Sequence, residues 1–144
     1  MNKLIAWLPA LMVLGAVIYK PVKEATETKT VNKNISFSVY KGNSYTSGVY
    51  SNTFAQIHIV VEKVNTKGQR EIVWDKILES KYISQYPSAN NALKQNIVIP
   101  NVNQKKEYLL VYYTLTYNSK GSKLQMQDGT IVKDSNSGKV NISI

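Results

Sequence analysis

The chain contains a single histidine, His58, which is the first residue to consider for chemistry. Without a cysteine or a second histidine, neither a typical zinc site nor a typical catalytic triad can be assembled around it. Asp75 and Glu79 could form a carboxylate pair of the glycosidase kind. One lies within a predicted strand and the other at its end, so the two should point in different directions. The sequence therefore predicts no catalytic residues and a surface position for His58.

Two short segments have a partial pattern for phosphoryl or metal chemistry. Asp128-Gly129-Thr130 is similar to part of a phosphatase nucleophile loop, but Met126 stands where that loop requires an aspartate. The stretch from Asp134 to Gly138 places oxygen donors at alternating positions, faintly like a calcium loop. Its glycine comes one place early and no glutamate follows. We expect a turn at 134–138, no metal site and no cofactor.

Tyrosine is the residue type that best suggests a binding site. There are ten tyrosines against two phenylalanines, and four of the tyrosines fall in two predicted irregular segments: Tyr45, Tyr50, Tyr82 and Tyr86. Loops at the ends of β-sandwiches commonly carry recognition, and tyrosine offers a large contact area at a low entropic cost. We predict that these four residues contact a ligand or partner. The alternative is that their rings cap the core or cover a sheet edge.

The elements that must position these residues are strands, because apolar residues recur with a period of two from Asn34 onward. Residues 79–92 are less regular and could hold a short edge strand or a turn of helix. Predicted strands are 35–40, 54–64, 70–78, 93–99, 107–117 and 140–144, with turns at 65–69, 118–121 and a tight hairpin at Asp128-Gly129. Residues 107–117 are apolar on both faces, as expected of a central strand covered on two sides. The sequence predicts an all-β, antiparallel sandwich of about seven strands.

The segment from Val102 to Tyr112 resembles the approach to the sixth strand of fibronectin type III and related immunoglobulin-like domains. An apolar residue precedes Tyr108 by six positions, and alternating apolar residues follow it. By resemblance, Tyr108 would form a tyrosine corner, its hydroxyl bonding backbone a few residues upstream, and Trp74 would lie in the core on the third strand. The chain departs from the family in lacking a tryptophan on the second strand, a proline-rich start and a cysteine pair.

The first residues of the chain predict export or membrane attachment. Residues 4–19 are apolar and follow a lysine at position 3. As a helix this segment would reach about 24 Å, short of the roughly 30 Å hydrocarbon core, which suits a signal peptide. The cleavage site at Leu14-Gly15-Ala16 is poor, however, so a retained anchor stays open. We assign 1–23 to a signal peptide or anchor, 24–33 to a polar tether and 34–144 to the sandwich.

Charge and composition narrow the classes of function. The formal charge of +9 suits an anionic partner, but the lysines come singly or in pairs near strand ends, which is typical of solubility and edge protection, and a nucleic-acid role is not expected. The absence of cysteine favours a bacterial or phage source. We predict a non-enzymatic, extracytoplasmic module that contacts a protein or glycan at a cell or particle surface. The alternative is a membrane-anchored structural subunit of a virion, pilus or envelope assembly that pairs edge strands with its neighbours.

Overall fold

The computed structural model of the chain describes residues 29–45 and 47–144, and these form an all-β domain. The strands are β1 (Thr30–Tyr40), β2 (Phe54–Asn65), β3 (Arg70–Ile77), β4 (Lys81–Tyr82), β5 (Leu93–Asn103), β6 (Glu107–Ser119), β7 (Ser122–Val132) and β8 (Ser137–Ser143). A four-residue helix, α1 (Ser47–Tyr50), and two single-turn 3-10 helices, Ile83–Gln85 and Ala89–Asn91, lie between strands. Segment 79–92 therefore holds both a short edge strand and helical turns. The predicted N-terminal segment 1–23 lies outside the described residues.

The strands form two sheets, consistent with a β-sandwich. The larger sheet has the order β3-β2-β6-β7, with β4 paired to β2, and the smaller sheet has the order β5-β1-β8. Within residues 29–45 and 47–144, no helix is long and apolar enough to cross a membrane.

The prediction of a fully antiparallel sandwich is wrong in one place. Strands β1 and β8 are parallel, with partners running from Asn34 and Ser137 to Tyr40 and Ser143. The chain leaves the larger sheet after Val132 and enters the smaller one at Ser137. Because it changes sheets, β8 pairs with β1 instead of forming a hairpin with β7, and the two paired strands run in the same direction.

The core lies between the facing sides of the two sheets, where alternate residues of each strand are buried. Its buried apolar residues include Ile35, Phe37, Val39, Ile97, Ile99, Val140 and Ile142 on the smaller sheet and Ala55, Ile57, Ile59, Val61, Leu109, Val111, Tyr113 and Leu115 on the larger. Strand β6 is central, as predicted, but it is covered on one side only. Leu110 and Tyr112, on its other side, are half-buried at the surface.

Strand β3 departs from the predicted alternation because of a β-bulge. Val61 is paired with Trp74 and the next residue of β2, Glu62, is paired with Ile72, so Val73 is the extra residue. Trp74 is half-buried against the core, where its ring stacks on that of Phe37 with 5.5 Å between the centroids. Trp74 thus packs against the core from the third strand.

The predicted turns at 65–69 and 118–121 are present, whereas the hairpin predicted at Asp128-Gly129 is wrong. Lys120 and Gly121 both have positive φ, 47° and 82°, as a two-residue hairpin turn of type I′ requires. Asp128 and Gly129 lie inside β7, paired with Tyr113 and Tyr112. A Cβ on Gly129 would lie 2.8 Å from the Cβ of Tyr112, so the glycine permits close packing here and makes no turn.

The tether assigned to 24–33 is too long, because β1 begins at Thr30. Lys33 is fully buried, on the same side of β1 as Ile35. Its ammonium donates to the backbone oxygens of Val132 (3.4 Å), Lys133 and Ser135 (2.9 Å). Burial lowers the pKa of Lys33, and the nearby Asp134 partly offsets this. Within the segment considered for calcium, the backbone oxygen of Ser135 therefore binds the ammonium group of a lysine.

Candidate functional site

A cleft opens between the two sheets at the end of the sandwich far from the start of β1. At the end near the start of β1, β7 and β8 are closely packed, since a Cβ on Gly138 would lie only 2.6 Å from Cγ2 of Val132. At the far end, the two strands separate around a cavity of about 590 Å³. We call it the tyrosine cleft; its lining residues are Ser44, Tyr45, Tyr50, Thr53, Ile83, Tyr117, Ser119, Ser122, Lys123, Leu124, Met126, Ser143 and Ile144.

One wall of the cleft is built by the segment between β1 and β2. The rings of Tyr45 and Tyr50 are stacked, 6.2 Å apart at 26°. The Nζ of Lys41 lies 4.5 Å from the centroid of the Tyr45 ring, within cation–π range, and Tyr45 also packs against the core. Tyr50 is 39% exposed. The structure thus brings together two of the four tyrosines predicted to make contacts.

The opposite wall comes from β7, which extends past the edge of the smaller sheet. With only three strands, the smaller sheet does not cover the side chains of Leu124 and Met126, which are 60% and 55% exposed. Tyr117 of β6 lies half-buried beside them. Burial raises the pKa of Tyr117, and Tyr50 adds to the shift. Two exposed apolar side chains and three tyrosines therefore surround one cavity.

The other two predicted contact residues lie outside the cleft. Tyr82 packs its ring against Phe54, with 3.9 Å between the centroids, where β4 pairs with β2. Tyr86 is buried, and its hydroxyl donates to the carbonyl oxygen of Ala55 at 3.1 Å. Burial, followed by the charge of Glu79, raises the pKa of Tyr86. The prediction that Tyr86 contacts a ligand is wrong; its ring belongs to the core, the alternative that the sequence left open.

Tyr108 lies on β6 opposite Val64 and is half-buried on the surface side of the larger sheet. Among the described residues, no hydrogen bond joins its hydroxyl to upstream backbone. The buried tyrosine hydroxyl that bonds to backbone is that of Tyr86, in a different part of the chain. The tyrosine corner at Tyr108 stays a prediction, and the hydrogen bond that it requires is absent from the described residues.

Comparison with known proteins adds no relative. No protein-family model matches the chain, and searches of the curated proteins and of the solved structures find no match. The likeness of residues 102–112 to fibronectin type III domains stays a prediction.

His58 lies on the outer side of the larger sheet, away from the cleft. Its Nε2 is 2.8 Å from Oδ1 of Asp75, and both side chains are well exposed, as the predicted surface position requires. The polar side chains around the cleft are hydroxyls and the ammonium of Lys123, and within the described residues no aspartate, glutamate or histidine side chain lines it. Such a lining can accept an apolar or aromatic group and hydrogen-bond at the rim.

Sequence reasoning missed Tyr117, Leu124 and Met126 as lining residues. Leu124 and Met126 alternate with Gln125 and Gln127, a pattern that predicts a strand with one apolar side. The pattern does not say that the apolar side lacks a cover, because that depends on how many strands the facing sheet has.

Proposed function

We propose that the chain is a non-enzymatic, extracytoplasmic binding module that holds an apolar or aromatic side chain of a protein partner in the tyrosine cleft. The observation that supports this is the stacked pair Tyr45 and Tyr50 facing exposed Leu124 and Met126 across about 590 Å³. Large, partly exposed apolar surfaces in a concave site are typical of the central contacts of protein interfaces.

A protein partner fits the cleft better than a glycan does. Leu124, Met126 and Ile144 offer no side-chain hydrogen-bonding groups, while a sugar ring presents hydroxyls around its whole edge. The sugar hydroxyls that face these three side chains would have no partners there, which costs free energy, although serine, threonine and tyrosine hydroxyls line other parts of the cleft. An aromatic or aliphatic side chain brings no such requirement.

The edge of β7 beside the cleft supports an extended partner segment. Ser119 and Ser122 close a two-residue turn, so alternate residues such as Gln125 and Gln127 direct their backbone N–H and C=O groups away from β6. A segment that pairs with these groups would lie along β7. Its alternate side chains would then face the side on which Leu124 and Met126 line the cleft.

The test is selection of short peptides that bind the full chain from a displayed library, followed by affinity measurements on variants. We expect the selected peptides to carry an aromatic or large aliphatic residue and to lose about tenfold in affinity with Tyr50→Ala or Met126→Lys. The matched control is Ile77→Lys, which changes a residue of similar exposure on the outer side of the larger sheet. Binding that is unaffected by the two cleft variants but lost with Ile77→Lys would contradict the proposal.

The proposed location rests on the apolar residues 4–19 and has its own test. The intact mass of the protein from its native host, membrane fraction included, would be lower by the leader if cleavage occurs near Ala16. A full-length mass in membranes would mean that the segment is retained. A full-length mass in the cytosol would exclude an extracytoplasmic module.

A second candidate is a structural subunit that pairs edge strands with its neighbours, and the exposure of β7 favours it. All residues of this eleven-residue edge strand except Val132 are exposed, including Leu124, Met126 and Ile131. Such an edge is a template for pairing. Sedimentation of the wild type and of Gln125→Pro, which removes an outward N–H, separates the two functions. Assembly lost in the proline variant would favour the subunit, whereas a wild type that stays monomeric would favour the binding module.

A further inference from the structure

The end of the sandwich opposite the tyrosine cleft gathers three loops around the start of β1. The β2–β3 loop contacts the β5–β6 loop through a hydrogen bond from the N–H of Thr66 to the oxygen of Lys106, 2.9 Å. Gln104 donates to Oδ1 of Asn136 in the β7–β8 segment at 2.8 Å. Thr30, the first residue of β1, is paired with Asn103. We call this end, formed by residues 29–33, 65–70, 103–107 and 132–136, the basal end.

Exposed lysines cover the basal end: Lys29, Lys67, Lys105, Lys106 and Lys133. Within the described residues, none of these five is in an ion pair. The acidic groups nearby are engaged by other partners: Glu62 with Arg70 (3.4 Å), Glu71 with Lys63 (4.0 Å), Glu107 with the N–H of Asn103 (2.8 Å), and Asp134 beside the buried Lys33. In the part of the chain that the structure describes, these five lysines therefore leave a positive charge that no carboxylate neutralises by an ion pair.

The arrangement of these lysines is held by the fold. The ammonium of Lys33 fixes the backbone at Lys133 and Ser135, and the two hydrogen bonds between loops hold the β5–β6 loop against its neighbours. Three loops thus present their charges at one end of the molecule. A broad anionic surface can meet all of them at once, without first ordering the loops that carry them.

We propose that the basal end docks on an anionic phospholipid bilayer. Ten residues, 20–29, separate the apolar segment 4–19 from Thr30 and reach about 35 Å at full extension. If 4–19 lies in a membrane, the basal end is the part of the domain nearest to it. Basic residues near an anionic leaflet are attracted within about a Debye length, roughly 8–10 Å, so the lysines draw the domain down onto the headgroups. The tyrosine cleft then faces away from the bilayer.

The test uses the full chain reconstituted into vesicles, with a single fluorophore on an introduced cysteine; the absence of native cysteine makes the label unique. Thr66→Cys carries the label at the basal end and Ser122→Cys at the cleft end. Energy transfer to an acceptor lipid is compared between neutral phosphatidylcholine vesicles and vesicles containing phosphatidylglycerol. We expect transfer from position 66 to rise about twofold or more with the anionic lipid and to fall back in high salt, while transfer from position 122 stays low.

Matched charge variants decide whether the basal lysines are responsible. The basal variant combines Lys67→Glu, Lys105→Glu and Lys106→Glu. Its control makes the same change in charge at exposed lysines elsewhere, Lys94→Glu, Lys123→Glu and Lys139→Glu. Docking predicts that only the basal variant loses the rise in transfer, while both unfold in urea like the wild type.

Three outcomes would overturn the proposal. Equal losses in the two charge variants would mean that net charge alone is responsible. Equal transfer from position 66 in neutral and anionic vesicles would mean that no docking occurs. A soluble polyanion such as heparin that binds through the same three lysines, without preference for anionic vesicles, would assign the basal end to a polymer rather than to a bilayer.

Discussion

Strands β7 and β8 are closely packed at the basal end of the sandwich and separated at the cleft end. At the basal end, Val132 of β7 packs against Gly138 of β8, and the Lys33 ammonium binds the backbone that joins the two strands. At the cleft end, the same strands separate and expose Leu124 and Met126. The comparison indicates that close packing is concentrated at one end and exposed apolar surface at the other. Substitutions at the two ends should therefore differ in their effect on the free energy of unfolding.

The largest effect is expected from Lys33→Ala. The substitution removes the donor to three buried or partly buried carbonyl oxygens and leaves a cavity, so the free energy of unfolding should fall by about 3 kcal/mol or more. Urea denaturation measures the loss, and Lys139→Ala, at an exposed position of β8, is the control, with a change within about 0.5 kcal/mol. A loss no larger than that of the control would show that the basal end does not depend on the buried ammonium.

Gly138→Ala should come next, with a loss of about 2 kcal/mol. Its new methyl group would lie 2.6 Å from Cγ2 of Val132 and 3.2 Å from Cδ1 of Ile35, so strands that are closely packed would have to shift. Gly48→Ala, where an added Cβ meets nothing within 4 Å, should be neutral or slightly stabilising. Thermal unfolding measures the midpoints of both variants. Equal midpoints would contradict the expectation that the strands around Gly138 are the more closely packed.

Tyr86→Phe tests the core beneath the cleft and should cost about 1 kcal/mol, because Ala55 loses the buried hydroxyl that donates to its carbonyl oxygen. Tyr50→Phe is the control, since the ring of Tyr50 is partly exposed on the cleft wall, and it should change the free energy of unfolding by less than about 0.5 kcal/mol. Equal losses in guanidinium titrations would mean that the two tyrosines are not distinguished by burial.

Alkaline pH should remove the stabilising effect of the Tyr86 hydroxyl. Burial raises the pKa of Tyr86 above its ordinary 10.0, so its contribution is present below pH 10 and is lost as pH rises through the raised value. The lowered pKa of Lys33 acts in the opposite sense, but it is common to wild type and Tyr86→Phe and cancels in their difference. The gap in stability between the two proteins should shrink above pH 10. A difference in stability that grows above pH 10 would contradict the expectation that ionisation of Tyr86 destabilises the folded state.

The smallest effect is expected at Leu124→Ser, in the open part of the cleft. The side chain is 60% exposed, so the change in the free energy of unfolding should be within about 0.5 kcal/mol. Val132→Ala, at the buried end of the same strand, should cost about 2 kcal/mol. A similar loss at both positions, measured by urea denaturation, would show that β7 is packed evenly along its length.

Local pattern predicted the strands better than their arrangement. Alternation located β2 and β6 to within a few residues, because one side of each strand packs on the core. It could not show that β8 joins β1 in parallel, since sheet order depends on where the chain changes sheets. Lys33 was assigned to the tether because nothing near it in the sequence indicates burial. The backbone oxygens that bind its ammonium lie about a hundred residues further along the chain.

The candidate site was predicted in part for the same reason. Tyr45 and Tyr50 are close in sequence and share one loop, so their common position followed from local pattern. Tyr86 has a similar local setting, yet it is buried because Ala55, thirty-one residues earlier, offers a carbonyl oxygen to its hydroxyl. The opposite wall of the cleft comes from β7, and no feature of the sequence near Tyr45 predicts that β7 lies there.

The parallel pairing of β1 with β8 has a consequence for the order of folding. The first strand of the smaller sheet, Thr30–Tyr40, has as its neighbour on one side a strand about a hundred residues further along the chain, Ser137–Ser143. Closing so long a loop costs conformational entropy, and strand pairing over such a distance is slow. The hairpins of the larger sheet, which join strands that are neighbours in sequence, should therefore form before the smaller sheet is complete.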